Sequence, residues 1–145
     1  MERYKNFTLV IANITRSIRK IKTGEMAKWN LKSQHVSCIY YLYEKGSLTA
    51  TELCDICGED KANMSRSIVF LEEHGYIESK EHENKRYKIH YGLTEQGRLV
   101  GKSIFDRIED IISSASGGLS EQDRSIMYKS LHAIDENLQL IASEY

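Results

Sequence analysis

The chain has 145 residues, of which 41% are hydrophobic and 28% are charged, and its formal net charge is −1. These values are typical of a globular protein with one domain, or with one domain and an oligomerisation element. A net charge close to zero argues against general binding to polyanions. Because there are nine glycines and no proline, we expect a mostly helical chain.

The N-terminal region does not resemble a secretion signal or a membrane span. Its apolar stretch at 7–14 is short, and basic residues follow it, which is the reverse of the order in a signal peptide. Three cysteines without such a signal indicate a reducing compartment. We therefore expect a cytoplasmic protein that does not enter a membrane.

Two helices are predicted in the first 46 residues. The first has apolar residues at steps of four and three, the spacing of one helix face: Phe7, Ile11, Ile14, Ile18 and Ile21. The second should have Ser33 as its N-cap, run to Tyr43 and end at Gly46. Its expected buried residues are Val36, Ile39, Tyr40 and Leu42.

A helix-turn-helix pattern follows. Thr49 and Glu52 match a T-x-x-E capping box, which predicts a short third helix ending near Gly58. Asp60 should cap a fourth helix that ends at Gly75. The residues expected to face inward on that helix are Met64, Ile68 and Leu71. In this arrangement one helix supports another that can enter the major groove of DNA.

A small hairpin and a long helix are predicted next. The segments 76–77 and 87–91 have strand character and are separated by a polar stretch. After Gly97 a helix should run to about Ser114, and 117–118 should end it. The expected apolar side of that helix consists of Leu99, Ile104, Ile108 and Ile111.

The last helix should open at Ser120 and Asp123. Its apolar residues are Ile126, Leu131, Ile134, Leu138 and Ile141. The flanking helices carry more apolar surface than the small central domain can cover, so a single chain would expose it. Folding back onto the same domain is the alternative, but pairing two chains through these helices is the solution that we expect.

The expected fold is therefore mainly α. A winged helix-turn-helix at 31–97 would bind DNA, and long terminal helices at 1–30 and 98–145 would form a dimerisation region.

Several phrases in this order resemble the MarR family of winged-helix transcriptional regulators, over nearly the whole chain. They are Asn63-Met64-Ser65-Arg66 within 53–71, the segment 71–77, and Leu93-Thr94-Glu95-Gln96-Gly97. The resemblance implies a homodimer with intertwined terminal helices that binds double-stranded DNA at a pseudo-palindromic operator. Many members are repressors that small phenolic or lipophilic ligands, or oxidation, release from DNA.

The outward residues of the fourth helix are the candidate DNA contacts. They are Lys61, Ala62, Asn63, Ser65 and Arg66. Arginine can pair with guanine and asparagine with adenine, while a hydroxyl or a helix N-terminus can bind phosphate. The alternative is a solvated helix face.

The candidate wing residues are Lys85, Arg86 and Lys88, which suit minor-groove insertion or phosphate binding. The resemblance makes Arg86 the wing arginine, with Asn84 in place of the family's aspartate. A solvated turn is the alternative. Between 47 and 96, six basic residues stand against ten acidic ones, so DNA binding would require the basic groups to gather on one side.

Three cysteines offer a different chemistry. Cys54 and Cys57 form a C-x-x-C on the third helix, and Cys38 lies on the second. A metal-binding or redox-sensitive site is one reading, since thiolates bind zinc and oxidise reversibly. The other is that these cysteines are small buried hydrophobes. Because there is no second C-x-x-C and no H-x3-H spacing, we expect no metal site.

An effector pocket, if the chain has one, should lie where the first, second and fifth helices meet near the dimer interface. Its candidate lining residues are Trp29, His35, Tyr40, Tyr41 and Tyr43, although tyrosines at helical spacing also occur in cores. No phosphate loop, nucleophile elbow or paired-carboxylate pattern is present, so we expect no enzyme and no cofactor.

The sequence thus predicts a sequence-specific DNA-binding transcriptional regulator, a homodimeric repressor relieved by a small aromatic or lipophilic effector. Two alternatives remain: a thiol- or metal-responsive sensor on the same scaffold, and a winged-helix protein-interaction module.

Overall fold

The computed structural model describes residues 2–80 and 88–145, with side chains from residue 4 onward. Its helices are α1 (Glu2–Met26), α2 (Ser33–Lys45), α3 (Ala50–Cys57), α4 (Lys61–Glu73), α5 (Glu95–Ala115) and α6 (Glu121–Ala142). Its strands are β1 (Ser47–Thr49), β2 (Ile77–Lys80) and β3 (His90–Leu93), and one 3-10 turn spans Ala27–Trp29. The predicted mainly α, winged helix-turn-helix fold is confirmed.

The strands form one antiparallel sheet in the order β1-β3-β2. Leu48 of β1 and Ser79 of β2 both lie opposite Tyr91 of β3. The sequence did not predict β1. The strand predicted at 76–77 begins at Ile77 and extends to Lys80. Of the strand predicted at 87–91, residue 87 lies outside the described residues, and the described part begins at His90 and extends to Leu93.

The core lies between α2, α3, α4 and the start of α5. The predicted inward residues of α4, namely Met64, Ile68 and Leu71, are all buried, as are Val36, Ile39 and Leu42 of α2. Tyr40, predicted to be buried, is half-buried. The prediction for Leu99 was wrong: 72% of this residue is exposed, and Val100 and Ile104 are the buried residues of α5. The cause is the spacing: Leu99 lies five residues before Ile104, about 140° away around the helix axis, whereas Val100 lies four residues before Ile104 and shares its face.

Local capping chemistry sets most helix starts as predicted. Thr49 and Glu52 form the capping box, with Thr49 N donating to Glu52 Oε2 at 2.7 Å. Asp60 Oδ1 accepts a bond from Asn63 N at 2.8 Å, and Ser120 caps α6 in the same way. The prediction for Ser33 was wrong, because it is the first residue of α2 and Lys32 occupies the N-cap position.

The junction between α4 and α5 depends on one threonine and two glycines. Gly75 follows α4 with φ +74°, in the left-handed region. Thr94 Oγ1 donates to the Gly75 carbonyl at 2.6 Å and accepts from Gly97 N at 3.0 Å. A Cβ on Gly97 would overlap the backbone carbonyl oxygen of Tyr76. The run 93–97 is therefore a packing and capping motif.

The chain divides into two compact units, residues 1–106 and 107–145, with the boundary inside α5. In the first unit, α1 exposes Leu9, Val10, Ile11, Ile14, Ile18 and Ile21. In the second, α6 contains no buried residue, and its exposed apolar side chains are Ile126, Leu131, Ile134, Leu138, Leu140 and Ile141. Both helices therefore leave apolar faces uncovered in the single chain. Among the described residues, none of the helices has the length and apolar character needed to cross a membrane.

Candidate nucleic-acid interface

The exposed face of α4 is the centre of the candidate interface. Burial of Met64, Ile68 and Leu71 fixes the rotation of the helix about its axis. As a consequence Lys61, Ala62, Ser65 and Arg66 are exposed, while Asn63 is half-buried. The structure thus brings the five predicted α4 residues together over the first two turns of one helix.

Asp60, Asn63 and Arg66 form a hydrogen-bonded network at the start of α4. Asp60 accepts from Asn63 N at 2.8 Å and from Asn63 Nδ2 at 3.0 Å. Arg66 Nη2 donates to Asn63 Oδ1. These bonds hold the asparagine amide and the guanidinium in a defined arrangement on the outer face of the helix.

A shallow cavity of about 310 Å³ continues the α4 surface toward α3 and the sheet. Its lining includes Thr51 of α3, Ser65 and Val69 of α4, and Tyr91 of β3. Val69 is 49% exposed, and an exposed valine on such a face can contact a thymine methyl group. Val69 was not among the DNA contacts predicted from the sequence. Its position four residues after Ser65 on the helix was the signal that could have identified it.

Of the predicted wing residues, only Lys88 can be placed. It is exposed and lies two residues before β3. Lys85 and Arg86 lie outside the described residues. Next to Lys88, Ile89 is also exposed.

Basic residues of α1 lie beside the start of α4. Arg19 and Lys22 line a polar cavity of about 460 Å³, whose lining also includes Asn63. Lys22 Nζ donates to Ser37 Oγ of α2 at 3.2 Å. Two positive charges of the N-terminal segment, those of Arg19 and Lys22, therefore lie next to the start of α4. They counter part of the net negative charge of residues 47–96.

The five candidate pocket residues lie in separate environments. Tyr40 stacks on Phe105 of α5, with ring centroids 5.4 Å apart, and Tyr43 packs on the same ring at 5.5 Å. Tyr41 meets Tyr40 edge-on at 5.2 Å. The tyrosines thus form one cluster between α2 and α5.

The other two candidates, Trp29 and His35, are outside that cluster. Lys28 Nζ lies 4.2 Å from the centre of the Trp29 ring. His35 stacks on Phe70 of α4 at 4.1 Å, and Phe70 stacks on His74 at 3.9 Å. The five residues therefore do not form one cluster in the single chain, and the proposed effector pocket remains a prediction.

His35 is a buried, neutral histidine. It is 4% exposed, and its Nδ1 accepts a hydrogen bond from Lys32 N at 3.2 Å. Burial, with smaller effects from the charges of Lys32 and His74, lowers the pKa of His35 from 6.5 to about 4. This packing gives His35 a structural role between α2 and α4.

The C-x-x-C spacing suggested that Cys54 and Cys57 form a pair, but the structure arranges the three cysteines differently. Cys38 is buried, whereas Cys54 and Cys57 are half-buried and line different cavities. The hydrogen-bonding thiol partner of Cys57 is Cys38. Within the described parts of the chain, no group of three or more His, Cys, Asp or Glu residues is placed to hold a metal ion.

Comparison with known proteins places this geometry in a family. Residues 35–112 match the family model described as a winged helix DNA-binding domain. A search of curated proteins found no match.

Known structures share the whole fold. A putative MarR family transcriptional regulator from Listeria monocytogenes, in complex with a 26mer DNA, is similar with a TM-score of 0.84 and 24% identity, over 90% of this chain and 87% of that one. The MarR family regulator NMB1585 from Neisseria meningitidis has a TM-score of 0.82 and 20% identity, over 99% of both chains. NadR in complex with 4-hydroxyphenylacetate has a TM-score of 0.77 and 14% identity, over 88% of this chain and 91% of that one.

The resemblance inferred from the sequence is thereby confirmed: this chain belongs to the family of winged helix DNA-binding domains, and its fold is that of the MarR family transcriptional regulators.

Proposed function

We propose that this protein is a sequence-specific transcriptional regulator that binds double-stranded DNA as a homodimer and acts as a repressor. The observation that carries the proposal is the exposed first half of α4, where Lys61, Asn63, Ser65 and Arg66 share the outer face of the second helix of a helix-turn-helix. The Listeria structure, solved with DNA, supports this reading. The role is not enzymatic.

Homodimer formation is supported by the uncovered apolar faces of α1 and α6. Leu131, Ile134, Leu138 and Ile141 follow steps of three and four along α6, the spacing of one helix face, and all are exposed. Exposed apolar stripes of this length mark protein interfaces. In the proposed organisation, 1–30 and 98–145 pair two chains, and 31–97 binds DNA at a pseudo-palindromic operator.

A small aromatic or lipophilic effector would relieve repression in this proposal. NadR binds 4-hydroxyphenylacetate and supports the idea that the fold accepts an aromatic ligand. Tyr40, Tyr41 and Tyr43 are the residues through which we expect such a ligand to act, because they cluster between α2 and α5.

The proposed DNA binding is tested by titrating the purified full chain against duplexes from its own upstream region, with random duplex as competitor and at several salt concentrations. We expect one dimer per site, resistance to competitor, and affinity that falls steeply with salt because phosphate contacts release counterions. Equal and weak binding to every duplex would favour the protein-interaction module.

Arg66 and Lys61 separate base contacts from phosphate contacts. Arg66→Ala should weaken operator binding by about 1–3 kcal/mol and weaken random-duplex binding much less, because a base-reading arginine contributes only on the correct sequence. Lys61→Ala should weaken both about equally and reduce the salt dependence. Lys129→Ala, on α6, is the matched control for loss of one positive charge. An equal loss on both duplexes for Arg66→Ala would assign that side chain to phosphate.

The dimer is tested by placing a charge on the α6 face. Leu138→Glu should shift the protein from dimer to monomer in sedimentation analysis, because a buried unpaired carboxylate opposes association. Lys129→Glu introduces the same side chain outside the 131–141 stripe and should leave the dimer intact. A wild-type protein that sediments as a monomer at micromolar concentration contradicts the homodimer.

The effector proposal is tested with 4-hydroxyphenylacetate as the first probe. We expect it to weaken operator binding by the wild-type protein, and Tyr40→Phe, Tyr41→Phe or Tyr43→Phe to reduce that response. If 4-hydroxyphenylacetate weakens operator binding by all three variants as much as by the wild type, the effector binds at another site.

A further inference from the structure

The polar cavity of about 460 Å³ beside α4 differs from a pocket for an aromatic effector. It lies between α1, α2 and the turn that joins α3 to α4, and its volume is in the range of small-molecule sites, about 300–1,000 Å³. Ile18 is the aliphatic residue of its lining, and no aromatic ring of the described residues borders it. A polar ligand therefore suits this cavity better than a phenolic or lipophilic one.

Two positive charges of α1 border the cavity. Arg19 and Lys22 are three residues apart, which places them on the same face of the helix. Among the described residues, neither forms an ion pair with a carboxylate. Glu59 supplies the negative charge of the lining, so two cations stand against one carboxylate. The charged side chains of the cavity thus attract an anion.

The Lys22 ammonium is held in a half-buried position at the side of this cavity. Its Nζ donates to Ser37 Oγ at 3.2 Å, and Ser37 Oγ in turn donates to the Ser33 carbonyl at 3.2 Å. Burial is the main influence on the pKa of Lys22 and lowers it. An anion bound in the cavity would compensate the ammonium for its lost hydration.

Uncharged donors complete the lining. Thr15 and Ser33 carry hydroxyls, and Gln34 and Asn63 carry side-chain amides. Asn63 Nδ2 donates to Asp60 Oδ2 at 3.0 Å, which uses one of its two hydrogens. A phosphate group offers more acceptor oxygens than a carboxylate, and arginine can bind it with two parallel hydrogen bonds. The number of donors therefore favours phosphate over a carboxylate ligand.

We propose that this cavity binds a phosphate group, held by Arg19 and Lys22 and by the hydroxyl and amide donors around them. The group can belong to the DNA backbone or to a small phosphorylated compound, because the chemistry of recognition is the same. The two sources have opposite effects on operator binding. A backbone phosphate adds affinity, whereas a small compound in the same place excludes the backbone. This consequence rests on the proposed function.

A neighbouring cavity connects the site with the outer face of α4. It has a volume of about 240 Å³, and its lining includes Lys32, Arg66 and also Gln34, which thus borders both cavities. Arg66 donates to Oδ1 of Asn63, a residue of the first lining. Each phosphate of a DNA strand carries one negative charge, so two cationic cavities that share a residue suit successive phosphates. We therefore expect the DNA backbone to be the source.

The site itself is tested without DNA, with inorganic phosphate as the probe and the purified full chain. Sodium phosphate should raise the midpoint of thermal unfolding above that in sodium chloride of the same ionic strength and pH. Lys22→Met and Arg19→Met should each weaken phosphate binding about tenfold. Lys20→Met is the matched control, because it removes an exposed charge of the same helix outside the cavity lining.

The two variants differ in their expected effect on the fold. Lys22→Met also loses the hydrogen bond to Ser37, so its folding is checked by circular dichroism and urea unfolding. Arg19 is exposed, and Arg19→Met should be as stable as the wild type in the absence of phosphate. The proposal is overturned if the wild type does not bind phosphate at millimolar concentration, or if neither variant binds it more weakly than Lys20→Met does.

Duplex binding and glycerol phosphate distinguish the two sources. If backbone phosphates occupy the cavity, Arg19→Met and Lys22→Met should weaken binding to operator and to random duplex about equally. Each variant should also reduce the salt dependence by about one counterion, and Lys20→Met should not.

A small compound is the source if the two variants leave duplex affinity unchanged while glycerol phosphate, but not glycerol, weakens operator binding by the wild type. Wild-type protein that binds phosphate but no duplex would overturn the proposed function and would leave the phosphate site intact.

Discussion

Acidification should destabilise this fold through one buried imidazole, that of His35. In the folded chain His35 is stacked on Phe70, is 4% exposed, and accepts the Lys32 N–H on Nδ1. Protonation would remove that acceptor and place a cation next to Lys32 and His74. The folded state therefore favours the neutral ring.

The size of the effect follows from the two pKa values of His35. The pKa is about 4 in the folded chain, against 6.5 for an exposed histidine. Because the folded value is the lower one, this contribution is fully present above pH 6.5 and is lost as the pH falls toward 4. The loss is about 2 kcal/mol at pH 5 and about 3 kcal/mol once the pH is below both values. For a protein of this size, that is a large part of the free energy of unfolding.

The measurement is the free energy of unfolding by urea at fixed protein concentration between pH 7.5 and 5, for wild type and for His35→Asn. Asparagine keeps a polar atom near the position of Nδ1 and does not titrate, so the variant should lose less stability over this range. The His132→Asn variant removes an exposed imidazole from α6 and controls for a general loss of charge. The C2–H chemical shift of His35 gives its pKa directly. Equal pH dependence in wild type and His35→Asn, or titration of His35 near 6.5, would refute the reasoning.

Three further predictions concern the helix junctions. Gly97→Ala should lower the free energy of unfolding, measured by calorimetry, by about 3 kcal/mol or more, because the new Cβ would overlap the Tyr76 carbonyl. The control is Gly24→Ala in α1. Because there is open space around Gly24, this variant should be as stable as the wild type or slightly more stable. Thr94→Val should lower the free energy of unfolding by about 1–3 kcal/mol, because two hydrogen bonds of the hydroxyl are lost. Thr94→Ser keeps the hydroxyl and should lose much less stability. Equal stability of the two variants would contradict the role of the hydroxyl. Asp60→Ala should lower the free energy of unfolding by about 1 kcal/mol, because the N-cap of α4 is lost. An unchanged midpoint of urea unfolding would show that water replaces the carboxylate.

The features that the sequence predicted well are those that depend on short-range chemistry. The capping box at Thr49 and the cap at Asp60 each involve residues three apart, so local pattern is enough to find them. The inward residues of α4 follow from helical periodicity alone. Their placement also fixed which residues of α4 face outward.

The features that the sequence missed depend on distant partners. β1 is only three residues long and exists through pairing with β3, more than forty residues later. Leu99 was assigned to the wrong side because several apolar residues stand near the start of α5, and only packing against the core shows that Val100, four residues before Ile104, is the buried one. The spacing of Cys54 and Cys57 suggested a pair, whereas Cys57 interacts with Cys38 of another helix. Contacts of this kind are set by tertiary packing and have no local signature.

The α4–α5 junction has a mechanical consequence. The Thr94 hydroxyl ties the turn after α4 to the first turn of α5, and Gly97 leaves no gap between α5 and the Tyr76 backbone. We therefore expect the end of α4 and the start of α5 to move together. Gly101 is also closely packed, against Tyr43 and Leu93, so we expect α5 to bend more easily beyond this residue than before it. A tilt imposed on the later turns of α5 should then either bend the helix beyond Gly101 or also turn the end of α4.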